Sequence, residues 1–144
     1  MALNYYSLIY GVEAVLPLLR KSKAGHLVGM SSVASFLGIP EAEGYCASKA
    51  AARIFLEGLR AELYHEKIKV TTICPGFVKT PMISKNDFKM PFLLEADKAA
   101  QIIADAIAQQ RQELVFPSRM RWILRLLRIL PKSWQTRIMA GIRR

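Results

Sequence analysis

The sequence predicts an α/β fold, a parallel sheet whose strands are joined by crossover helices. Short, nearly all-apolar runs at residues 26–31, 69–74 and 114–116 read as strands covered on both faces. Longer stretches around them place apolar residues at three- and four-residue intervals, the period of a helix. The resulting order of helix, strand, helix, strand, helix, strand requires crossovers that return each strand parallel to the one before.

The first helix covers residues 2–22. Its apolar positions are Leu8, Val12, Val15, Leu16 and Leu19, basic Arg20, Lys21 and Lys23 suit its C-terminal end, and Gly25 closes it. A strand over residues 26–31 follows, then a loop over residues 32–43 broken by Gly38 and Pro40. The second helix, from Gly44 to about His65, has the apolar stripe Ala51, Ile54, Phe55, Gly58, Leu59 and Leu63. Arg53, Glu57, Arg60 and Glu66 fall on its expected wet side. Lys69 to Cys74 is the next strand. Residues 75–94 carry Pro75, Pro81 and Pro91 and show no strong period, so they read as a long, mobile loop. A loop of that length is more often functional than a plain connector. The third helix runs from Glu95 to about Gln112 with acids at its start, and Leu114 to Phe116 forms the last strand.

Composition narrows the function. A chain of 144 residues with 52% hydrophobic content makes one domain with a substantial core. Its two cysteines, Cys46 and Cys74, have no paired spacing and read as reduced core residues. No His, Cys, Asp and Glu grouping has metal-ligand spacing, and His26 and His65 read as structural. The first basic residue is Arg20, so no charged leader precedes the apolar N-terminal stretch. Asn4, Glu13 and Pro17 make that stretch too polar to be read as a span, and the expectation is a cytoplasmic protein. The net charge of +10 is uneven: residues 1–117 balance at +2, whereas residues 118–144 hold eight Lys/Arg and no acid. The chain therefore divides into a body, 1–117, and a basic tail, 118–144.

The chemistry is organised around Tyr45-Cys46-Ala47-Ser48-Lys49. A tyrosine and a lysine four residues apart lie on one helix face. Free tyrosine titrates near pH ~10, and a nearby ammonium favours the phenolate, making the pair a usable general acid/base. Taken alone, the same residues fit better an ordinary half-buried aromatic and a solvated lysine. Their surroundings decide. Ser32 ends the first strand, and the second strand ends in Pro75-Gly76-Phe77-Val78-Lys79-Thr80-Pro81.

Strand, serine, tyrosine–lysine helix, strand and Pro-Gly turn, in this order and spacing, resemble the short-chain dehydrogenase/reductase family over residues 2–117. The resemblance implies part of a Rossmann-like, doubly wound parallel sheet, followed here by an amphipathic helical tail. It further implies hydride transfer between NAD or NADP and an apolar carbonyl or secondary alcohol. In that reading Tyr45 is the acid/base, Lys49 eases its deprotonation and holds the nicotinamide ribose, and Ser32 steadies charge on the substrate oxygen. Asn4 matches the family's proton-relay asparagine, its plainer role being a polar residue near the N-terminus. Ser31 is assigned to packing or a backbone bond. Pro75, Gly76, Val78 and Thr80, with Tyr45 and Lys49, match the residues at the nicotinamide end of the cofactor. The family also implies a homo-oligomer through the first two helices.

The resemblance is incomplete. The glycine-rich turn that holds the cofactor pyrophosphate at a helix N-terminus has no counterpart among the eight scattered glycines. The expectation is a fragment or truncated product, or else a half-domain completed by another chain, with residues 26–31 left as an open apolar edge. The choice of NAD or NADP has no readable determinant.

In the tail, residues 119–130 alternate arginines with bulky apolar residues. Arg121, Arg125 and Arg128 share one helical face, and Trp122, Ile123, Leu126, Leu127 and Leu130 occupy the rest. Pro131 breaks this helix, and a second can run from Trp134 to Ile142. The pattern fits attachment to an anionic membrane surface or a helix covering the core or a subunit contact. Nothing else in the chain suggests nucleic acid. Two functions remain open: the oxidoreductase, or a catalytically silent, membrane-associated interaction protein built from the same fold.

Overall fold

The computed structural model describes residues 1–22, 25–81 and 90–141. The three apolar runs form β1 (His26–Met30), β2 (Lys69–Pro75) and β3 (Glu113–Phe116), all parallel and ordered β1-β2-β3. Leu27 lies opposite Val70, Met30 opposite Ile73, and Cys74 opposite Val115. Val70 to Cys74 of the central strand are all buried. β1 is an edge, and Val28 and Met30 remain exposed on it.

A π-helical turn, Ala2–Tyr6, leads into α1 (Ser7–Lys21), followed by α2 (Glu43–Glu62) and α3 (Ala96–Ala108). On one face of the sheet, Val12 of α1 and Leu56 and Leu59 of α2 pack with Leu63 on Leu27, Ile68 and Val70. On the other face, Ala99 and Ala106 of α3 pack on Ile73, Leu114 and Phe116. Helices therefore cover both faces, as alternation along β2 requires: Val70 points to one layer and Ile73 to the other. α1 is also tied at its C-terminal end, where Arg20 pairs with Glu66 at 2.7 Å. By length and composition Ala2–Lys21 is apolar enough to cross a membrane, more than its interruptions suggested. Here its Leu8, Val12, Leu16 and Leu19 pack on the core.

The buried stripe of α2 is displaced from the expected one. Cys46, Ala52, Leu56 and Leu59 face inward, whereas Ile54 is exposed and Gly58 borders open space. The cause is β1, which approaches so closely that a Cβ on Gly29 would overlap the Leu56 side chain. Arg60 is also not on a wet face. It donates to Val70 O at 2.9 Å, Thr72 Oγ1 at 2.7 Å and Gln112 O at 2.7 Å, which latches α2 to β2 and to the start of β3.

The tail forms α4 (Ser118–Ile129) and α5 (Lys132–Ala140). Met120 and Leu124 of α4 close a third cluster with Cys74 and Val115, against Phe36, Leu37 and Phe77. Gln135 of α5 bonds Leu130 O at 2.8 Å, fixing the bend after Pro131. Leu126, Ile129, Trp122 and Trp134 face outward. The arginine face of α4 borders an open groove against α2 and β3, with Arg121 half-buried and Arg125 and Arg128 exposed. Residues 82–89, the middle of the loop expected to be long and mobile, and Ile142 lie outside the described residues.

Candidate active site

Parallel pairing brings the ends of β1 and β2 to one edge, where Ser31 N–H donates to Ile73 O at 2.7 Å. Ser31-Ser32 and Pro75-Gly76 therefore leave the sheet side by side, at the carboxyl ends where open α/β sheets place ligands. Ser32 is buried and extended, with φ −165°. Its Oγ accepts from Ala34 N–H at 3.1 Å, which leaves the hydroxyl proton available to a substrate oxygen. Its carbonyl accepts from Ser35 Oγ at 2.6 Å, so the turn Val33–Ser35 holds the serine from both sides.

Tyr45 and Lys49 lie in the first turns of α2, with Lys49 Nζ 5.9 Å from the Tyr45 ring centroid. Tyr45 is 46% exposed. Burial holds the Lys49 pKa below the usual lysine value. Its ammonium makes no ion pair with any described residue. Ser31, expected in packing or a backbone bond, donates Oγ to Lys49 O at 2.8 Å and so pins this helix to the end of β1.

Asn4 arrives from the π-helical turn, held near α2 by the edge-to-face contact of Tyr5 with Phe55 at 6.1 Å. Its Nδ2 donates to Ser48 Oγ at 3.2 Å, and Ser48 Oγ donates to Tyr45 O at 2.8 Å. Ser48 is nearly fully buried and was not singled out in the sequence. It sits inside the motif, and only the fold shows that it bridges Asn4 and Tyr45.

The turn after β2 supplies a second wall. Phe77 O and Lys79 N–H bond Leu94, at 3.0 and 2.8 Å. In this parallel bridge the N–H and C=O of Val78 point to the opposite side. Gly76 has an immediate structural reason: a Cβ there would lie 3.0 Å from Pro117 Cδ and 3.2 Å from Phe116 O. Pro75 ends β2, and Thr80 is half-buried beyond Val78. Burial pushes the Cys74 thiol up to about 11, so beneath this turn it is a protonated core residue.

The model of the family described as short chain dehydrogenase matches residues 1–90. The chain belongs to the short-chain dehydrogenase family. It is 40% identical over 120 residues to an uncharacterized oxidoreductase of Myxococcus xanthus, covering 83% of this chain and 47% of that protein. It is 37% identical over 134 residues to epidermal retinol dehydrogenase 2 of Mus musculus, covering 89% and 43%. The fold matches a short chain dehydrogenase of Burkholderia cenocepacia, solved in complex with NADP, with a TM-score of 0.80 at 24% identity over 93% of this chain and 55% of that one. The chain thus spans about half the length of the relatives it matches.

Proposed function

We propose that these residues form the catalytic half of an oxidoreductase that moves hydride between a nicotinamide cofactor and an apolar carbonyl or alcohol. The observation that carries this reading is Lys49: a partly buried ammonium beside the Tyr45 ring, with no ion-pair partner among the described residues. A desolvated cation at that distance stabilises negative charge that develops on the phenol oxygen as the proton leaves. Tyr45 gives the proton in reduction and takes it in oxidation. Ser32 donates its free hydroxyl proton to the same substrate oxygen, and Asn4 acts on the motif through Ser48.

The residues present fit the nicotinamide end of NAD or NADP. Lys49 offers donors for ribose hydroxyls, Val78 a free backbone edge for a carboxamide, and Thr80 a hydroxyl. When bound, the cofactor supplies or accepts the hydride. The NADP of the Burkholderia structure supports a nicotinamide cofactor. The name of the mouse relative, a retinol dehydrogenase, supports a bulky apolar alcohol as the substrate class. The test is hydride transfer from 4-deuterated NADH and NADPH to a panel of apolar aldehydes and ketones, in the full coding context of these residues. Deuterium on the product carbinol carbon is expected; no transfer to any member of the panel overturns the proposal.

Two associations accompany this reading. A second copy is proposed to cover the outer face of α1 and α2, where Tyr6, Tyr10, Leu18 and Ile54 are exposed. The tail is proposed to attach peripherally to an anionic membrane surface. Trp122, Leu126, Ile129 and Trp134 are exposed there, and Arg119, Lys132 and Arg137 are exposed as well.

A further inference from the structure

The arginine face of α4 lines an open cavity of about 340 Å³ against α2 and β3. Its cationic lining is Arg53 and Arg60 of α2 with Arg121, Arg125 and Arg128 of α4. None of the residues assigned above to hydride transfer lines it. Two acids, Glu57 and Glu113, also line it. Glu57 is mostly exposed and meets Arg53 Nη1 at 3.4 Å. Arg60 is satisfied by the three bonds already described.

Of the remaining four guanidinium groups, Arg53 meets Glu57, whereas Arg121, Arg125 and Arg128 make no ion pair among the described residues. Arg53 and Arg128 stack on Phe36, at 4.7 and 5.8 Å from the ring centroid. Arg121 and Arg125 stack on Trp122, at 5.5 and 5.3 Å. Stacking fixes the plane of a guanidinium and leaves its charge intact. Among the described residues, Arg53 Nε and Arg121 Nε are buried side-chain nitrogens with no hydrogen-bond partner. A buried cationic donor without an acceptor is costly, and like charges four apart on α4 add repulsion. Both penalties vanish if an anion sits between the helices. Several convergent planar donors suit a dianionic, multi-oxygen group, and the volume exceeds what a bare phosphate fills.

We propose that this cavity binds a phosphate ester, with Arg53, Arg121 and Arg125 as its principal ligands. The ester belongs either to a soluble metabolite or to a lipid headgroup. The test is isothermal titration of the 144-residue chain with inorganic phosphate. Saturable binding is expected, and Arg121→Gln should weaken it at least about tenfold, equivalent to about 1.4 kcal/mol. Arg125 is exposed and touches only the exposed Trp122 ring, so Arg125→Gln spares the core and decides the matter if Arg121→Gln fails to fold. The double variant Arg119→Gln/Arg137→Gln removes two charges outside the cavity lining and should bind as the parent does. Absence of saturable binding, or equal weakening in the Arg119/Arg137 control, overturns the proposal. Co-sedimentation distinguishes the sources. Vesicles of phosphatidylcholine with phosphatidylinositol 4-phosphate, compared with charge-matched phosphatidylserine vesicles, should show an Arg125-dependent gain if the ester is a headgroup. With phosphate binding intact, no such gain assigns it to a soluble ester.

Discussion

Ser31 is the residue that joins sheet and motif. Its N–H donates to Ile73 O of β2 and its hydroxyl to Lys49 O, with the side chain buried. A buried neutral hydrogen bond contributes about 1 kcal/mol net. Ser31→Ala is therefore expected to lower the unfolding free energy by about that amount in urea denaturation. An unchanged midpoint would show that the Lys49 carbonyl, already accepting within its helix, gains nothing from Ser31. At this scale the sequence was informative where chemistry depends on neighbours in the chain. Tyr45 and Lys49 meet because they are four apart on a helix, and Ser32 stands at a strand end. Ser48 and Gly76 were less legible. The bond of Ser48 to Asn4 spans 44 positions, and the crowding of Gly76 comes from Pro117.

At the scale of elements, all three strands and the helices that connect them could be read, because period and breakers are local properties. Which face of a helix is buried is not local. The stripe of α2 turned to place Leu56 over Gly29, and Arg60 became an internal latch because β3 passes below it. The α2–β1 approach makes a sharp expectation. Gly29→Ala forces its methyl into Leu56 and should destabilise the chain by about 1–3 kcal/mol, the usual range for overpacking a core. A variant as stable as the parent in urea would mean that strand and helix separate freely. The tail shows the same limit: the sequence left a membrane contact and a core cover both open for α4, and in the fold Met120 and Leu124 pack on the core while Trp122, Leu126 and Ile129 lie outside. The proposed membrane contact thus rests on that apolar face and on Arg119, Lys132 and Arg137. Co-sedimentation with anionic vesicles should fall on deleting residues 118–144 and weaken at high salt, since exposed charges are screened beyond about 8 Å at physiological ionic strength. Equal sedimentation with and without the tail would leave α4 as a core cover alone.

For the whole molecule, three parallel strands with helices on both faces give a sheet whose β1 edge is open and whose α1 surface is largely apolar. Exposed Tyr6, Tyr10 and Leu18 motivate the proposed self-association. Light scattering is expected to report a dimer or larger for the parent, and a monomer for Tyr10→Lys/Leu18→Lys. A monomeric parent, or an unaltered mass in the variant, removes that face from the interface. The oxidoreductase assignment depends on one proton. Tyr45→Phe keeps the ring that lies near Lys49 and removes only the hydroxyl, so the fold should be untouched. Turnover of an apolar carbonyl with NADH or NADPH, measured in the full coding context of these residues, is the most direct measurement. Loss of a general acid/base alone costs about 10²–10⁴-fold, so Tyr45→Phe should retain no more than about a hundredth of the parent kcat with unchanged thermal unfolding. Retention of more than about a tenth of the parent kcat would contradict acid/base catalysis by Tyr45.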